Sequence, residues 1–185
     1  GRTTLNGEGL QHQDGHSLLM AHSNPAVRAY DPAFAFELST IIKQGIVDMC
    51  ENDSDVIYYL AVYNENYPMP AKPKDCEEGI LKGLYKLRDA PAGDGPMVRL
   101  IGSGPIMLQV LDAVEKLETF GVRSEIWSAT SYGELRREGM DVSRWNRLHP
   151  GESMKTSWVE QQFGDDKAPI VAVSDNVAAV PEPVN

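Results

Sequence analysis

The densest concentration of reactive side chains lies near the start of the chain, at residues 7–16. Three glycines in this run allow the backbone to approach a ligand closely. The run also carries Glu8, His12, Asp14 and His16, and histidine can donate or accept a proton near neutral pH. Composition alone favours a polar surface loop, because loops are usually polar. An acid–base site is the alternative interpretation.

The same run contains three residues of metal-ligand type, His12, Asp14 and His16. Zinc sites generally use three or four ligands in fixed geometry, and their spacings recur. The spacing H-x-D-x-H matches no common zinc pattern, so we predict no metal site here.

Two further polar segments follow strand-like runs. Residues 64–67 come after the apolar run 56–63, and the carboxyl ends of strands face the ligand crevice in open α/β sheets. A polar turn that ends the strand is an equally good interpretation. Residues 102–104 (Gly-Ser-Gly) lie where a phosphate-binding turn could form. Position 107 is Met instead of the third glycine of that motif, which favours a structural tight turn.

The first part of the chain predicts one helix and one strand after an irregular segment of residues 1–31. Asp31 and Pro32 are typical of a helix start, and this helix should end near Glu51. The run 56–63 is almost continuously apolar and predicts a strand buried on both faces. Three prolines within residues 66–73 predict an extended linker and a domain boundary. The predicted domains are residues 1–72 and 73–185.

The second part alternates between strand and helix patterns, which predicts an α/β fold with parallel pairing. Residues 77–87 are interpreted as a short helix or a strand. The further predictions are strands at 97–101, 122–130 and 169–173, helices at 106–120, 132–138 and 152–163, and an irregular segment at 141–150.

Composition limits the classes of function. The chain has 17 basic and 27 acidic residues and a net charge of −10, which argues against nucleic acid as a partner. No apolar run approaches the roughly 20 residues that a membrane helix needs, and no secretion leader is visible. Cys50 and Cys76 form no recognisable framework, so we predict two free thiols and a cytoplasmic protein. A disulfide between the two is the alternative.

The run from Gly1 to His12, continued by Asp14, Gly15 and His16, resembles the homodimeric bacterial pyruvate dehydrogenases that use thiamine diphosphate. The resemblance spans almost the whole chain and weakens after Pro150. The other matching segments are residues 30–34, 58–59, 63–70, 78–80, 84–87, 102–104, 130–135 and 144–150.

The resemblance implies a fold and a place within a longer enzyme. Residues 1–72 would be the end of the domain that binds the pyrimidine ring of the cofactor. Residues 73–185 would be a truncated, transketolase-like C-terminal α/β domain. The thiamine diphosphate and Mg²⁺ site of the full-length enzyme, and its activating glutamate, would lie upstream of Gly1. We therefore expect the chain alone to bind no cofactor and to be inactive.

The resemblance also implies site residues and partners. His12 would be a catalytic and substrate-binding residue, Glu8 a catalytic and cofactor-binding residue, and His16 a substrate-binding residue. Gln13 stands where some members carry an acidic residue, so the local charge differs. The implied reaction is oxidative decarboxylation of pyruvate by a homodimer, followed by acetyl transfer to the lipoyl domain of dihydrolipoyl acetyltransferase.

Two alternatives to this function stay open at the level of sequence. One is another thiamine diphosphate enzyme of the transketolase type, which would share the fold. The other is a non-catalytic module for dimerisation or interaction. The substrate of the full-length protein would distinguish a transketolase-type enzyme from a pyruvate dehydrogenase. Turnover of pyruvate by the isolated chain would exclude the non-catalytic module.

Overall fold

The computed structural model describes residues 2–4, 9–164 and 166–182, which form two β-sheets with helices packed on them. Three short turns of other helix types add to the regular elements: 3₁₀ turns at Leu10–His12 and Gly104–Ile106, and a π turn at Val47–Glu51. The elements are α1 (Ser17–His22), β1 (Val27–Tyr30), α2 (Ala35–Ile46), β2 (Ile57–Leu60), α3 (Glu77–Lys82), β3 (Tyr85–Arg88), β4 (Met97–Gly102), α4 (Met107–Thr119), β5 (Arg123–Ser128), α5 (Tyr132–Leu148), α6 (Trp158–Phe163) and β6 (Ile170–Val173).

The smaller sheet consists of β1 and β2, paired in parallel from Val27 with Ile57 onwards. The strand predicted at 56–63 exists, but the prediction that it is buried on both faces is wrong. Ile57 is 60% exposed and Tyr59 39% exposed, whereas Tyr58 packs against Gly45 of α2. Successive side chains of a strand point to opposite faces, and only one face of β2 is covered by α2.

The larger sheet has the strand order β3-β5-β4-β6. Strand β4 lies between β5 and β6 and pairs with both in parallel. This confirms the α/β alternation and the parallel pairing predicted from the second half of the sequence. The segment interpreted as a helix or a strand contains both, because α3 is followed at once by β3, which pairs antiparallel with β5.

One apolar core joins elements from both sheets. Leu18 of α1 and Ala29 of β1 pack with Ile101 of β4 and Trp127 of β5, and Val180 near the end of the chain belongs to the same cluster. Each of these side chains is at most 7% exposed. Burial of apolar surface on this scale is the main favourable term in folding. The two sheets are therefore held together by shared packing.

Helix α2 starts three residues later than predicted, at Ala35 instead of Pro32, so the assignment of Asp31 and Pro32 to a helix start is wrong. The first helical residue is Ala35, and the N-cap position is taken by Phe34. Asp31 has another partner, since its carboxylate is buried against the guanidinium of Arg2. Glu37 instead accepts the backbone N–H groups of Ala33 and Phe34, and so satisfies free donors of the first turn.

Helix α5 is longer than predicted, because it continues through the segment that was interpreted as irregular. Gly139 lies within this helix and no atom comes within 4 Å of the place where a Cβ would stand. Glycine weakens a helix without forbidding it. The helix predicted at 152–163 is shorter and covers only Trp158–Phe163, after a capping box formed by Ser157 and Glu160. The segment predicted to be irregular, residues 1–31, contains α1 and β1.

Within the ranges that the structure describes, no helix combines the length and the apolar character needed to cross a bilayer. Both cysteines are free thiols, as predicted. Cys50 is exposed in the π turn, whereas Cys76 is buried just before α3.

Candidate functional site

The carboxyl ends of β1, β4 and β5 meet at one edge of the structure. The backbone N–H of Asp31, just after β1, donates to the carbonyl of Thr130, after β5, at 2.7 Å. The N–H of Gly104, after β4, donates to the carbonyl of Asp31 at 3.0 Å. This edge is where ligands bind in open α/β sheets, and the convergence of three strand ends makes it the candidate site.

An ion pair between Arg2 and Asp31 lies at the centre of this edge. The Arg2 guanidinium donates two hydrogen bonds to the Asp31 carboxylate, at 3.0 and 2.7 Å. The Tyr63 hydroxyl contacts both partners, and the guanidinium lies 5.5 Å from the centroid of the Tyr63 ring. Paired, parallel hydrogen bonds of this kind fix direction as well as distance.

Burial disfavours the charged forms of both Asp31 and Arg2. It raises the pKa of the Asp31 carboxyl, and the Arg2 guanidinium opposes that rise. Burial alone would lower the pKa of Arg2, but the carboxylates of Asp31 and Asp175 more than offset it, so the pKa of Arg2 is raised. A buried ion pair is costly to break, because removal of one partner leaves the other charge uncompensated.

Gly104 allows the strand ends to come this close. Its φ of +52° lies in the left-handed region, which favours glycine. A Cβ at this position would fall on the Tyr63 hydroxyl and the Asp31 carboxylate. The structural interpretation of residues 102–104 as a tight turn is therefore confirmed.

The loop after β6 reaches the same edge and holds the beginning of the chain. The Asp175 carboxylate accepts from the Thr3 hydroxyl at 2.8 Å and from the Thr3 backbone N–H at 3.3 Å. It also lies 3.3 Å from the Arg2 guanidinium. Two residues later, the N–H of Val177 donates to the carbonyl of Gly15 at 3.0 Å.

His12 ends the 3₁₀ turn Leu10–His12 and is exposed. Its backbone N–H donates to the carbonyl of Gly9 at 2.9 Å. Among the described residues, Gly15, three positions after the turn, accepts the backbone N–H of Val177. Glu8, the second residue expected to take part in catalysis, lies outside the residues that the structure describes.

Asp14 and His16 lie at the start of helix α1. The Asp14 carboxylate accepts the backbone N–H groups of His16 at 3.1 Å and Ser17 at 3.0 Å, and it also contacts the Ser17 hydroxyl. Burial raises the pKa of Asp14, but the hydrogen bonds from Ser17 and His16 together more than offset it, so the pKa of Asp14 is lowered. The His16 side chain is exposed at the N-cap position of α1.

A depression of about 520 Å³ opens beside the end of β2. Arg2, Thr4 and Asp14 line one part of it, and residues 59–64 line the rest. Of the polar segment 64–67 that was singled out in the sequence, Asn64 faces this depression, whereas the Tyr67 hydroxyl contacts the carbonyl of Ala33. One end of that segment therefore borders the candidate site, and the other end is structural.

The described residues do not fit the magnesium–diphosphate end of a cofactor. Across 2–4, 9–164 and 166–182, no group of three or more His, Cys, Asp or Glu side chains is placed to hold a metal ion. The two carboxylates at the strand ends, Asp31 and Asp175, are both engaged by Arg2. Mg²⁺ binds through carboxylates and phosphates, and neither carboxylate here is available for it.

Arg2, Asp31 and Asp175 were not recognised as site residues from the sequence. Arg2 and Asp31 are 29 positions apart, and Thr3 and Asp175 are 172 positions apart. Pairs at such separations leave no local pattern. The usable signal was weaker: Asp31 comes directly after a strand and Asp175 comes two residues after one, at the strand ends where a ligand crevice is expected.

Comparison with known protein families gives two matches that together cover most of the chain. Residues 1–70 match the family described as pyruvate dehydrogenase E1 component middle domain. Residues 83–184 match the family described as transketolase-like TK C-terminal domain.

Similar curated proteins carry one name. The pyruvate dehydrogenase E1 component of Pseudomonas aeruginosa is 49% identical over 176 residues, which are 95% of this chain and 20% of that protein. The protein of the same name from Escherichia coli K12 is 46% identical over 186 residues, covering all of this chain and 21% of the relative. The chain thus spans about a fifth of the length of these relatives.

Solved structures with a similar fold include transketolase from Leishmania mexicana. The TM-score is 0.61 at 16% identity, and the match covers 91% of this chain and 21% of that chain. At this sequence identity the structural similarity shows the fold alone. It confirms the predicted transketolase-like α/β fold.

Proposed function

Because this chain belongs to the pyruvate dehydrogenase E1 family, as its resemblance predicted, we propose that it supplies part of the active centre of a pyruvate-decarboxylating enzyme. The reaction would be oxidative decarboxylation of pyruvate and transfer of the acetyl group to a lipoyl domain of dihydrolipoyl acetyltransferase. The observation that supports this most is the exposed position of His12 at the end of the turn Leu10–His12. It stands within a segment whose family match covers residues 1–70.

His12 is the proposed proton donor and substrate contact. Acetyl transfer breaks the sulfur–sulfur bond of the lipoyl group, and the departing thiolate takes up a proton. An imidazole titrates near neutral pH and can provide that proton. Before transfer, the same imidazole can donate a hydrogen bond to the carboxylate of pyruvate. Its exposed position at the end of a turn suits both tasks.

Glu8 and His16 complete the proposed site. Glu8 lies four residues before His12, and we assign to it contact with the reacting part of the cofactor or the orientation of His12. His16 is exposed at the start of α1, which suits a contact with an anionic substrate at the rim of the site. Gln13 carries no charge, so the acidity of this loop rests on Glu8 and Asp14.

The cofactor of the proposed reaction is thiamine diphosphate with Mg²⁺. When bound, it supplies the carbanion chemistry that removes carbon dioxide from pyruvate. Because the described carboxylates do not fit a metal–diphosphate site, we assign that end of the cofactor to parts of the family's proteins that this chain does not include. We expect the 185-residue chain alone to bind no cofactor and to be inactive.

We place the domain boundary near residue 72, giving the units 1–72 and 73–185. Two observations support this boundary: residues 66–73 are rich in proline, and the described residues between Leu60 and Glu77 form no helix or strand. A homodimer in the cytoplasm is the assembly we propose. The acidic net charge of −10 fits the absence of nucleic acid from its partners.

The function is tested by exchange into a relative. The corresponding segment of the Pseudomonas aeruginosa protein is replaced by this chain, and pyruvate-dependent reduction of an artificial electron acceptor is measured with thiamine diphosphate and Mg²⁺. We expect turnover within tenfold of the unmodified relative, a margin of about 1.4 kcal/mol in activation free energy. A folded, cofactor-binding hybrid without turnover would contradict the proposal. Acetyl transfer to the lipoyl domain that is insensitive to His12→Ala would instead favour a non-catalytic module.

A further inference from the structure

We propose that helices α5 and α6 form a docking groove for an acidic segment of a partner protein. The groove is a depression of about 770 Å³ between the two helices. Three arginines of α5 line it, Arg136, Arg144 and Arg147, and are called the groove arginines below. None of the residues that line the groove belongs to the proposed active centre, so its test is independent of the proposed function.

The groove arginines share one side of α5. An α-helix turns by about 100° per residue, so positions 136, 140, 144 and 147 fall within an arc of about 80°. A rise of about 1.5 Å per residue spreads the first and the last of them over about 16 Å. Met140 lies in the same row and is 54% exposed. The groove wall is therefore a stripe of cationic side chains with one apolar side chain between them.

The charges of the groove arginines are not compensated within the chain. Their neighbour Arg137 shows the contrast, because its guanidinium donates to two backbone carbonyls near the start of β1 and pairs with Glu134. Within residues 2–4, 9–164 and 166–182, the groove arginines make no hydrogen bond and no ion pair. The side chains of Arg144 and Arg147 are exposed. Their N–H donors are therefore open to a binding partner.

Two carboxylates also line the groove, and neither neutralises an arginine. Glu160 of α6 accepts the backbone N–H and the hydroxyl of Ser157, both at 2.8 Å. Asp141 is exposed and forms no ion pair among the described residues. Three positive and two negative side chains line the groove. A positive charge thus remains on this surface, although the whole chain has a net charge of −10.

The positive potential is felt by a neighbouring side chain, that of His22. Burial lowers the pKa of this imidazole, and the charges of Arg136 and Arg137 lower it further. His22 and Arg136 line a smaller depression that borders the groove. The charge of Arg136 therefore disfavours a second cation nearby, and an anionic partner would relieve this repulsion.

The shape of the groove favours a polypeptide over a small anion. Guanidinium groups bind carboxylates through paired hydrogen bonds. One small anion cannot reach arginines spread over about 16 Å, whereas an extended segment of about five residues spans that length at about 3.3 Å per residue. Met140 fits a segment that carries an apolar side chain between its carboxylates. Nucleic acid is disfavoured by the acidic balance of the chain.

The probe is a fluorescein-labelled peptide with four repeats of Glu-Glu-Leu, and its binding to the 185-residue chain is followed by fluorescence anisotropy. Arg144→Gln combined with Arg147→Gln should weaken binding by at least about 10-fold, because hydrogen bonds to charged groups are the strong ones. Arg88→Gln combined with Lys116→Gln is the matched control, since it removes the same charge from exposed side chains outside the groove. Binding by the control should stay close to that of the unmodified chain. Circular dichroism checks that both variants are folded.

Several results would overturn the docking groove. One is a failure of the unmodified chain to bind the peptide at low salt, and another is an equal loss in the groove variant and the control, which would show attraction by net charge alone. Displacement of the peptide by equimolar inorganic pyrophosphate would identify a small-anion site instead. Tighter binding of a single-stranded oligonucleotide would identify a nucleic-acid surface.

Two further measurements decide whether the groove is free for a partner protein. Sedimentation of the unmodified chain and of the groove variant should show the same oligomeric state, and self-association that needs Arg144 and Arg147 would make a second copy the occupant. The peptide should also bind the hybrid enzyme. Loss of binding there would show that other parts of the longer protein cover the groove, and would overturn the proposal.

Discussion

The Tyr85 hydroxyl donates a hydrogen bond of 2.6 Å to the carboxylate of Glu37 and so links the larger sheet to helix α2. The same carboxylate oxygen accepts from the Ser128 hydroxyl at 2.7 Å. Its second oxygen accepts the N–H groups of Ala33 and Phe34. One fully buried carboxylate thus joins β3, β5 and α2 through four donors.

Removal of this carboxylate should destabilise the fold. Glu37→Ala leaves four buried donors without an acceptor, and we expect the free energy of unfolding to fall by about 2–4 kcal/mol. Chemical denaturation followed by tryptophan fluorescence measures the loss. Glu115→Ala, on the exposed face of α4, is the control and should change stability by less than about 0.5 kcal/mol. A Glu37→Ala variant as stable as the control would refute the role assigned to Glu37.

The stability of the fold should depend on pH through the titration of Glu37. Burial raises the pKa of its carboxyl, although the hydrogen bonds from Ser128 and Tyr85 oppose the rise. Between the unfolded pKa of about 4.3 and the raised folded value, the folded state holds a proton that the unfolded state has released. Stability is therefore fully present below the unfolded pKa and is lost as pH rises through the folded pKa.

The contribution of Glu37 is isolated by measuring the unfolding free energy as a function of pH for Glu37→Gln and for the unmodified chain, and subtracting the first from the second. The difference in unfolding free energy should decline with increasing pH above about 4.3, whereas the shared contribution of Asp31 cancels. A flat difference, or one that rises with pH, would show that the pKa of Glu37 is not raised.

Two glycines should respond to alanine in opposite directions. Gly104→Ala places a Cβ on the Asp31 carboxylate at a φ of +52°, and we expect a loss of about 1–3 kcal/mol. Gly139 lies within helix α5 with open space around it, so Gly139→Ala should increase stability by about 0.5–1 kcal/mol. Thermal unfolding of the two variants side by side checks both signs. A neutral Gly104→Ala would mean that the strand ends do not need this close approach.

The two thiols should react at very different rates. Cys50 is exposed. Cys76 is 6% exposed, burial raises its pKa, and its Sγ donates to the carbonyl of Pro73 at 3.2 Å. Because the thiolate is the reactive form, a disulfide reagent should modify one thiol quickly and the second only after denaturant is added. Cys50→Ser should abolish the fast phase, and a fast phase that persists in that variant would place the exposed thiol at Cys76.

His12→Ala in the hybrid enzyme should damage acetyl transfer more than decarboxylation. A positioned acid contributes about 10²–10⁴-fold, and the departing lipoyl thiolate needs such an acid, whereas carbanion chemistry is carried by the cofactor. Each variant is assayed once with an artificial electron acceptor and once with the lipoyl domain. Equal losses in both assays, with a higher Michaelis constant for pyruvate, would exclude proton donation and leave the contact with the substrate carboxylate.

Elements with a strong local pattern could be predicted from the sequence. Strand β4 and helix α4 were placed to within one or two residues, since their apolar residues recur with the period of the element. Helix α5 was cut short, because Gly139 and a polar outer surface hide its continuation. Strand β2 was placed correctly but given the wrong burial, as a run of apolar residues does not reveal whether anything covers its second face.

The candidate site could be predicted only in part. The run that contains His12 is singled out by its residue types and its resemblance to a family, and its role stays a prediction. Asp31 was assigned to a helix cap, because the local sequence Asp-Pro is typical of one, whereas its partner Arg2 is 29 residues away. Asp175 carried only the weak signal of its place after a β-prone run, since its contacts with Thr3 cross almost the whole chain. Tertiary ion pairs of this kind are fixed by the fold and not by neighbouring residues.

The contact between Thr3 and Asp175 has a consequence for synthesis on the ribosome. It joins residues 172 positions apart, so the first residues of this segment have been made long before their partner emerges. At about 5–20 residues per second, the interval is on the order of 10–30 seconds. During that time Thr3 lacks the carboxylate that binds it in the finished chain, whereas Arg2 and Asp31 can already pair. A nascent chain stalled before residue 175 should therefore contain paired β1 and β2 while the contact at Thr3 is still unmade, and that contact would be one of the last to form.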